Sequence, residues 1–261
     1  MINKIAKVTV LGCGTSTGVP AIGCDDPVCL SDNPRNKRLR PSIVIQTEES
    51  TLLVDTSPDL RQQALVHSLK KIDAVIYTHF HADHTFGIDD LRVFNMIMKK
   101  TIPCYAFNNT LKVLRQNFEY IFGENNKHKG FKPRLTLNQI NDEIFEAANF
   151  RILPIELDHA GTKVMGIRIG DFVYATDCSS ISESSLEKMR GVKTLIIDAL
   201  RHRPHPSHLT VDQAVEISGF LSPEKTYFTH TNYELEYEET NKNLPDNIKM
   251  AYDGLCFEIN L

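Results

Sequence analysis

Short apolar runs recur along the chain, and polar segments containing Gly, Pro, Asn or Asp separate most of them. Runs of this kind that are rich in Val, Ile, Leu and Thr are typical of buried strands. The pattern predicts strands at residues 7–11, 42–46, 51–55, 74–77, 150–157, 164–169, 172–175, 194–199, 226–229 and 255–259.

Other segments repeat their apolar positions with the period of a helix. They predict helices at residues 58–68, 89–98, 109–121, 182–190 and 210–221. The segment 123–139 is polar, contains Gly and Pro, and is predicted to be a surface excursion. Strands that alternate with helices in this way predict an α/β protein, a four-layer αββα sandwich, with residues 1–261 forming a single domain.

Composition narrows the classes of protein that fit. A net charge of -4 gives no overall basic field, so nucleic acid is not an expected partner. A membrane span is not expected either, because no apolar stretch reaches about 18 residues. The six cysteines are scattered along a chain that shows no export signal, so we expect free thiols and a cytoplasmic location.

The segment 12–18 is rich in Gly and follows the first predicted strand. It matches neither the dinucleotide-binding nor the P-loop pattern, because no Gly-Lys-Ser/Thr follows and no helix opens there. Two interpretations stay open at this stage. The segment is either a turn that needs positive φ, or a loop that places backbone N–H groups near a substrate anion.

The segment 78–84 carries the strongest chemical signal in the chain. It reads Thr-His-Phe-His-Ala-Asp-His and follows directly on the apolar stretch 72–77. Histidines are costly to bury without a partner, and several potential ligands on one loop are typical of a metal site. A solvated polar turn is the alternative.

The spacing within this segment indicates two neighbouring sites. In an extended segment, residues i and i+2 point to the same side, so His79 and His81 are placed to grip one ion. Asp83 and His84 follow the turn and are placed to reach a second ion. Further candidate ligands each follow a predicted strand, where rigid elements hold functional groups: His159, Asp177 and His230.

These residues, in this order, resemble the metallo-β-lactamase superfamily over nearly the whole chain. By that resemblance three histidines hold one metal: His79, His81 and His159. Asp83, His84 and His230 hold the second metal, and Asp177 bridges the two. Asp83 is also assigned a catalytic part. Retention of His84 indicates a hydrolase, because the redox branch of the superfamily alters the histidine-rich motif.

Within the superfamily, the segment 12–20 is similar to the opening shared by tRNA 3′-end nucleases and phosphonate-pathway (carbon–phosphorus lyase) phosphodiesterases. The segments 23–29 and 38–42 resemble the phosphodiesterases, which act on cyclic ribose phosphates and hold a structural zinc with three Cys and one His. Here Cys24 and Cys29 are present, but Asp26 replaces the middle Cys and Tyr233 stands where His is expected. Two thiols alone make an incomplete tetrahedral site, so the structural zinc is left open.

His208 lies in a Ser-His-Leu-Thr element just ahead of a predicted helix. By resemblance, the histidine of this element is the general acid, a role that suits imidazole because it titrates near neutral pH. A capping or surface histidine is the alternative. The neighbouring Arg201 and Arg203 are either phosphate-holding groups or an ordinary exposed basic pair.

Together these features predict a dinuclear metal-dependent phosphodiesterase that acts on small phosphodiesters, cyclic ribose phosphates among them, through a metal-bridging hydroxide. Imidazole and carboxylate ligands accept zinc or manganese, with iron as a further choice. Members of the family often pair, which makes a homodimer the protein partner to expect. Three alternatives stay open. The first is a tRNA 3′-end processing endonuclease, because residues 34–38 resemble the basic loop of those enzymes. The others are a thioester or lactone hydrolase and a non-catalytic metal-binding protein of the same fold.

Overall fold

The computed structural model describes residues 4–123 and 132–261. Its strands are β1 (Ile5–Gly12), β2 (Ser42–Gln46), β3 (Thr51–Val54), β4 (Ala74–Ile76), β5 (Ile102–Phe107), β6 (Leu135–Ile140), β7 (Phe145–Ala147), β8 (Phe150–His159), β9 (Thr162–Ile169), β10 (Phe172–Ala175), β11 (Thr194–Asp198), β12 (Lys225–Thr229), β13 (Ile248–Met250) and β14 (Cys256–Asn260). Its α-helices are α1 (Pro27–Leu30), α2 (Leu60–Val66), α3 (Ala82–Thr85), α4 (Leu91–Met98), α5 (Asn108–Asn117), α6 (Glu119–Phe122), α7 (Glu183–Met189), α8 (Val211–Leu221) and α9 (Tyr237–Asn243).

The strands form two seven-stranded sheets, with the orders β14-β1-β2-β3-β4-β5-β6 and β13-β12-β11-β10-β9-β8-β7. The sheets face each other across one core, in which Ile45 and Val54 of the first sheet pack with Ile167 and Tyr174 of the second. Helices α2, α4 and α5 cover the outer face of the first sheet, and α7, α8 and α9 cover that of the second. The predicted αββα sandwich is confirmed.

The ten predicted strands are all present, whereas β5, β6, β7 and β13 escaped prediction. Strands β7 and β13 have three residues each, too few to show a period. Strand β6, Leu-Thr-Leu-Asn-Gln-Ile, is a polar edge strand. The segment 123–139, predicted to be a surface excursion, therefore contains most of an unpredicted edge strand, and residues 124–131 lie outside the described part of the chain.

Parallel pairing places the candidate site at one edge. Strands β3, β4, β5 and β6 run parallel to one another in the first sheet, as do β10, β11 and β12 in the second. The carboxyl ends of parallel strands are where loops of α/β proteins bind ligands. The histidine-rich segment follows β4 at this edge. None of the helices in residues 4–123 and 132–261 is long and apolar enough to cross a bilayer.

Candidate metal centre

The first cluster of donor atoms consists of three histidines, His79, His81 and His159. One ligand atom from each lies within 4.8 Å of the others. The Nε2 atom of His79 is 3.0 Å from Nδ1 of His81, so two ring nitrogens converge on the same space. His159 Nδ1 donates to the carbonyl of Ser207 at 2.6 Å, which leaves Nε2 as the ring nitrogen with a lone pair. This tautomer is the one a metal ligand needs.

The second cluster consists of Asp83, His84, Asp177 and His230, whose ligand atoms also lie within 4.8 Å of one another. His84 Nδ1 lies 2.7 Å from Oδ2 of Asp55, and a donor there leaves the lone pair on Nε2. This Nε2 atom is buried without a hydrogen bond among the described residues. It faces carboxylate oxygens of Asp83 and Asp177 at 3.2 and 3.3 Å.

A buried imidazole nitrogen without a hydrogen bond and two buried carboxylates carry a large desolvation cost in a protein interior, and positive charge among them is favourable. A divalent cation supplies that charge and satisfies all three groups. The donor set of imidazole nitrogens and carboxylate oxygens suits zinc, manganese or iron. The residues present therefore fit a metal site.

Asp177 lies between the two clusters. Its Oδ2 atom is 3.7 Å from Nε2 of His79 in the first cluster and 3.3 Å from Nε2 of His230 in the second. Both Asp177 and His230 have φ in the left-handed region, at 53° and 57°. Such backbone conformations cost about 1–3 kcal/mol each for residues other than Gly and concentrate at functional sites. Asp177 thus has the position of a bridging ligand.

Charges within the cluster are strongly coupled. Burial lowers the pKa of His79 well below its ordinary value, so this ring is neutral and free to bind a cation. Burial also opposes ionisation of Asp177, but the histidines around it, His230 and His84 first, hold its pKa well below the usual range. At His84 burial is outweighed by Asp177 and Asp83, which raise the pKa well above the ordinary value. The pocket is preorganised for positive charge.

Two supporting carboxylates were missed by the sequence analysis. Asp55 follows β3 and holds His84, while it accepts hydrogen bonds from the backbone N–H and the hydroxyl of Thr78, both at 2.8 Å. Asp198 ends β11 and lies 2.9 Å from Nδ1 of His208. Both aspartates are fully buried. Both lie at the end of a buried strand, as does Asp177, but neither belongs to a spacing pattern typical of metal ligands.

His208 belongs to this centre and not to the cap of α8. Thr210 caps that helix, accepting from the backbone N–H of Gln213. The His208 ring stacks on the ring of His230 with centroids 4.5 Å apart, and its centroid lies 4.7 Å from that of His159. The bond from Nδ1 to Asp198 leaves Nε2 available. The capping role considered from the sequence is therefore filled by another residue.

Most backbone N–H groups of the Gly-rich segment for which the structure shows a partner bond to other parts of the protein. The N–H of Cys13 donates to Asp253, and those of Gly14 and Thr15 donate to the carbonyls of Leu39 and Thr231. A Cβ at position 14 would lie 2.6 Å from a backbone oxygen, so only glycine fits at this position. The interpretation as an anion-binding loop was wrong for these three N–H groups, because they form hydrogen bonds that hold strand ends together.

Arg38 ties the same region together from the interior. It is 1% exposed, and its guanidinium donates to five acceptors. They are the backbone oxygens of Arg35, Asn232 and Leu235 and the side-chain oxygens of Asn36 and Thr231. Thr231 follows the candidate ligand His230 directly. Arg38 therefore fixes the loop that presents this histidine.

We expect Arg38→Met to lower the free energy of unfolding by about 3 kcal/mol, because buried acceptors that bonded to a cation are left unpaired. Arg38→Lys should recover only part of the loss, since an ammonium group cannot reproduce the guanidinium fork. Urea unfolding with chelator present measures the effect. The exposed Arg151 offers the matched control, Arg151→Met. An equal loss in both methionine variants would contradict the assigned role.

The region proposed for a structural zinc contains two thiols and no complete ligand set. Burial, with a hydrogen bond to Cys24, raises the pKa of the Cys29 thiol. The carboxylate of Asp26 caps α1, because it accepts a hydrogen bond from the backbone N–H of Val28 at 2.8 Å. Tyr233 packs against this apolar cluster. In the described part of the chain no third Cys, His, Asp or Glu donor reaches these thiols.

The two arginines near His208 are paired with one carboxylate. Arg203 lies 2.8 Å and Arg201 3.4 Å from Oε1 of Glu234. The charge offered to a substrate phosphate is therefore partly neutralised. Of the two side chains only that of Arg203 is exposed, since that of Arg201 is 14% exposed.

Comparison with known proteins places this centre in a family. A family model described as a beta-lactamase superfamily domain matches residues 50–231. The chain belongs to the metallo-β-lactamase superfamily. A solved structure described as a new diphosphatase from the PhnP family superposes with a TM-score of 0.92 at 43% identity, covering 98% of both chains. Within this superfamily the chain is similar to the PhnP family.

Two further relatives extend the comparison. Zn(2+)-bound PqqB from Methylobacterium extorquens shares the metallo-β-lactamase fold, with a TM-score of 0.77 at 18% identity over 97% of this chain and all of that chain. An octanoyltransferase of Porphyromonas gingivalis is 35% identical over 253 residues, which are 95% of this chain and 51% of the relative. The chain thus spans about half the length of that curated relative.

Proposed function

We propose that the protein is a dinuclear metal-dependent hydrolase of phosphorus esters, with small phosphodiesters as substrates. One observation carries this proposal. Two donor clusters share the carboxylate of Asp177, and the His208–Asp198 pair lies directly beside them. The groups that would bind the metals and the histidine that would donate a proton thus lie in one cleft. Displacement at phosphorus requires both.

Two divalent cations, when bound, lower the pKa of water and neutralise charge on phosphoryl oxygens. The remaining work falls to the chain itself. His159 and His84 are oriented by Ser207 and Asp55, which fix the ring nitrogens that face the ions. Asp198 holds the His208 ring through Nδ1 at 2.9 Å, which keeps Nε2 available. His208 then delivers a proton from Nε2 to the departing oxygen, because an alkoxide leaves poorly without one.

A second candidate is hydrolysis of a diphosphate linkage. The structure that resembles the chain at 43% identity is described as a diphosphatase. The same cleft serves both reactions, since each displaces an oxygen from phosphorus. The two differ in the leaving group, which is an alcohol in one case and a phosphate in the other. A phosphate leaves without a proton from His208, so the presence of a built proton donor favours the diester.

The tRNA-nuclease alternative finds little support in the loop that suggested it. Arg38 is interior, and the guanidinium of Arg35 lies over the rings of Tyr237 and Tyr252 at 4.9 and 4.6 Å. Lys37 donates to the carbonyl of Cys29. These cations are occupied within the protein and give no row of free charges for a phosphate backbone.

We propose a small molecule as the substrate and a homodimer as the state in solution. We also propose a cytoplasmic location, because the six cysteines are unpaired.

A substrate panel on protein loaded with zinc or manganese tests the proposal. We expect hydrolysis of bis(p-nitrophenyl) phosphate and of cyclic ribose phosphates, with two metals bound per chain. An octanoyl thioester and a precursor tRNA serve as competing substrates. Loss of the diester activity from a fully loaded sample, or faster cleavage of the thioester or the tRNA, would overturn the proposal. Faster cleavage of a dialkyl diphosphate would favour the second candidate.

A further inference from the structure

A cavity of about 580 Å³ opens beside the metal centre, at the same carboxyl edge of the first sheet. Its wall includes Phe80, which stands between the ligands His79 and His81. Its rim includes Gly161 and Thr162, in the hairpin that follows His159. The volume lies in the range of small-molecule sites. A substrate held at the metals therefore has room to extend into this cavity.

Charged groups at the cavity are already paired. Lys163 forms an ion pair with Glu156, and its ammonium lies 4.6 Å over the ring of Phe107. Asp142 pairs with Lys188 at 2.5 Å. With both charges compensated, the cavity has no strong preference for a second phosphate or for a cation. It favours an uncharged group.

What the cavity offers instead is an aromatic wall with amide groups. Phe80 is half-buried, and its ring meets that of His81 edge to face, with centroids 5.2 Å apart. Gln139 and Asn141 bond to each other on the rim. Asn109 donates from Nδ2 to the carbonyl of Lys163 at 3.0 Å, while its Oδ1 atom is buried without a partner among the described residues. That oxygen is a buried acceptor of a cavity-lining residue, and no donor among the described residues reaches it.

From these features we propose that the cavity is a subsite for a nucleobase, the uncharged planar ring of a nucleoside phosphodiester whose phosphoryl group lies at the metals. The ring packs against Phe80, and a ring or exocyclic N–H donates to Oδ1 of Asn109. This assignment rests on the proposed function and adds to it the class of substrate. Phe80 and Asn109 are then the residues that determine specificity for the nucleobase.

Two esters with the same leaving group test the assignment, thymidine 5′-monophosphate p-nitrophenyl ester and methyl p-nitrophenyl phosphate. We expect wild-type protein to favour the thymidine ester by at least about tenfold in kcat/KM, the size of one base–aromatic contact. Phe80→Ala and Asn109→Leu should each reduce this preference several-fold. The exposed phenylalanine of α8 gives the control Phe220→Ala, which should keep the preference intact. Equal rates for both esters in wild type, or a preference unaltered in Phe80→Ala, would overturn the subsite.

A binding experiment separates this inference from the proposed function. Saturation-transfer NMR of thymidine with chelator-treated protein needs no catalysis. We expect transfer to the base protons with wild type and with Phe220→Ala, and its loss with Phe80→Ala and Asn109→Leu. If neither ester is hydrolysed but thymidine binds in this pattern, the subsite stands and the proposed reaction fails. Absence of transfer to wild type refutes the subsite. Metal content of the Phe80→Ala protein, measured before chelation, checks that the adjacent ligands are undisturbed.

Discussion

Replacing Asp177 by Ala is expected to abolish hydrolysis, with a fall of at least about a thousandfold in kcat/KM. Metal ions contribute several kcal/mol to transition-state stabilisation, and each 1.4 kcal/mol or so is a factor of ten in rate. The carboxylate of Asp177 faces His79 on one side and both His84 and His230 on the other. Its removal should therefore weaken both ions. Metal content by elemental analysis, and rates after dialysis against metal-free buffer, measure the effect.

The exposed aspartate at position 246 supplies the matched control for this experiment. Asp246→Ala should bind the wild-type amount of metal and keep its rate. Adding excess zinc or manganese to Asp177→Ala should restore only a small part of the activity, because the shared ligand is gone. An Asp177→Ala protein that holds two ions and turns over normally would contradict the bridging role.

Replacing His208 by Ala is expected to lower kcat by about 100- to 10,000-fold on an alkyl phosphodiester, the range of general acid catalysis. On bis(p-nitrophenyl) phosphate the loss should be much smaller, because nitrophenolate leaves without a proton. Metal content should be unchanged. The contrast between the two leaving groups is the diagnostic measurement, since a merely structural role would slow both substrates alike.

His202 is exposed and lies six residues before His208, which makes His202→Ala a suitable control. It should keep wild-type rates on both diesters. Asp198→Asn should follow His208→Ala in direction with a smaller loss, because the ring would keep its place but lose a stabilising charge. Loss of metal from His208→Ala would instead make His208 a ligand.

The ligand positions could be predicted because each carries two signals, an ionisable side chain and the end of a buried strand. His159 and His230 were found by that rule. Asp55 and Asp198 satisfy it too, but a lone aspartate after a strand has no spacing pattern to distinguish it. The contacts that assign their roles join residues 29 and 10 positions apart, at Asp55–His84 and Asp198–His208. Only the fold shows such contacts.

Other features were beyond pattern analysis for a different reason. The segment 12–18 could equally have bound an anion or held strands together, and the choice depended on distant carbonyl groups. The cavity beside Phe80 is built from the ends of β5 and β6, strands whose composition hid them from the periodicity analysis. Contacts between residues far apart in the sequence determine both features. The local sequence pattern therefore cannot predict them.

The candidate ligands come from both halves of the sandwich. His79, His81, Asp83 and His84 follow a strand of the first sheet, whereas His159, Asp177 and His230 belong to the second. Cations bound among them would cross-link the two halves, which are synthesised one after the other. His230 follows His79 by 151 positions in the sequence. The complete set of candidate ligands therefore exists only once both halves of the sandwich have been synthesised and folded.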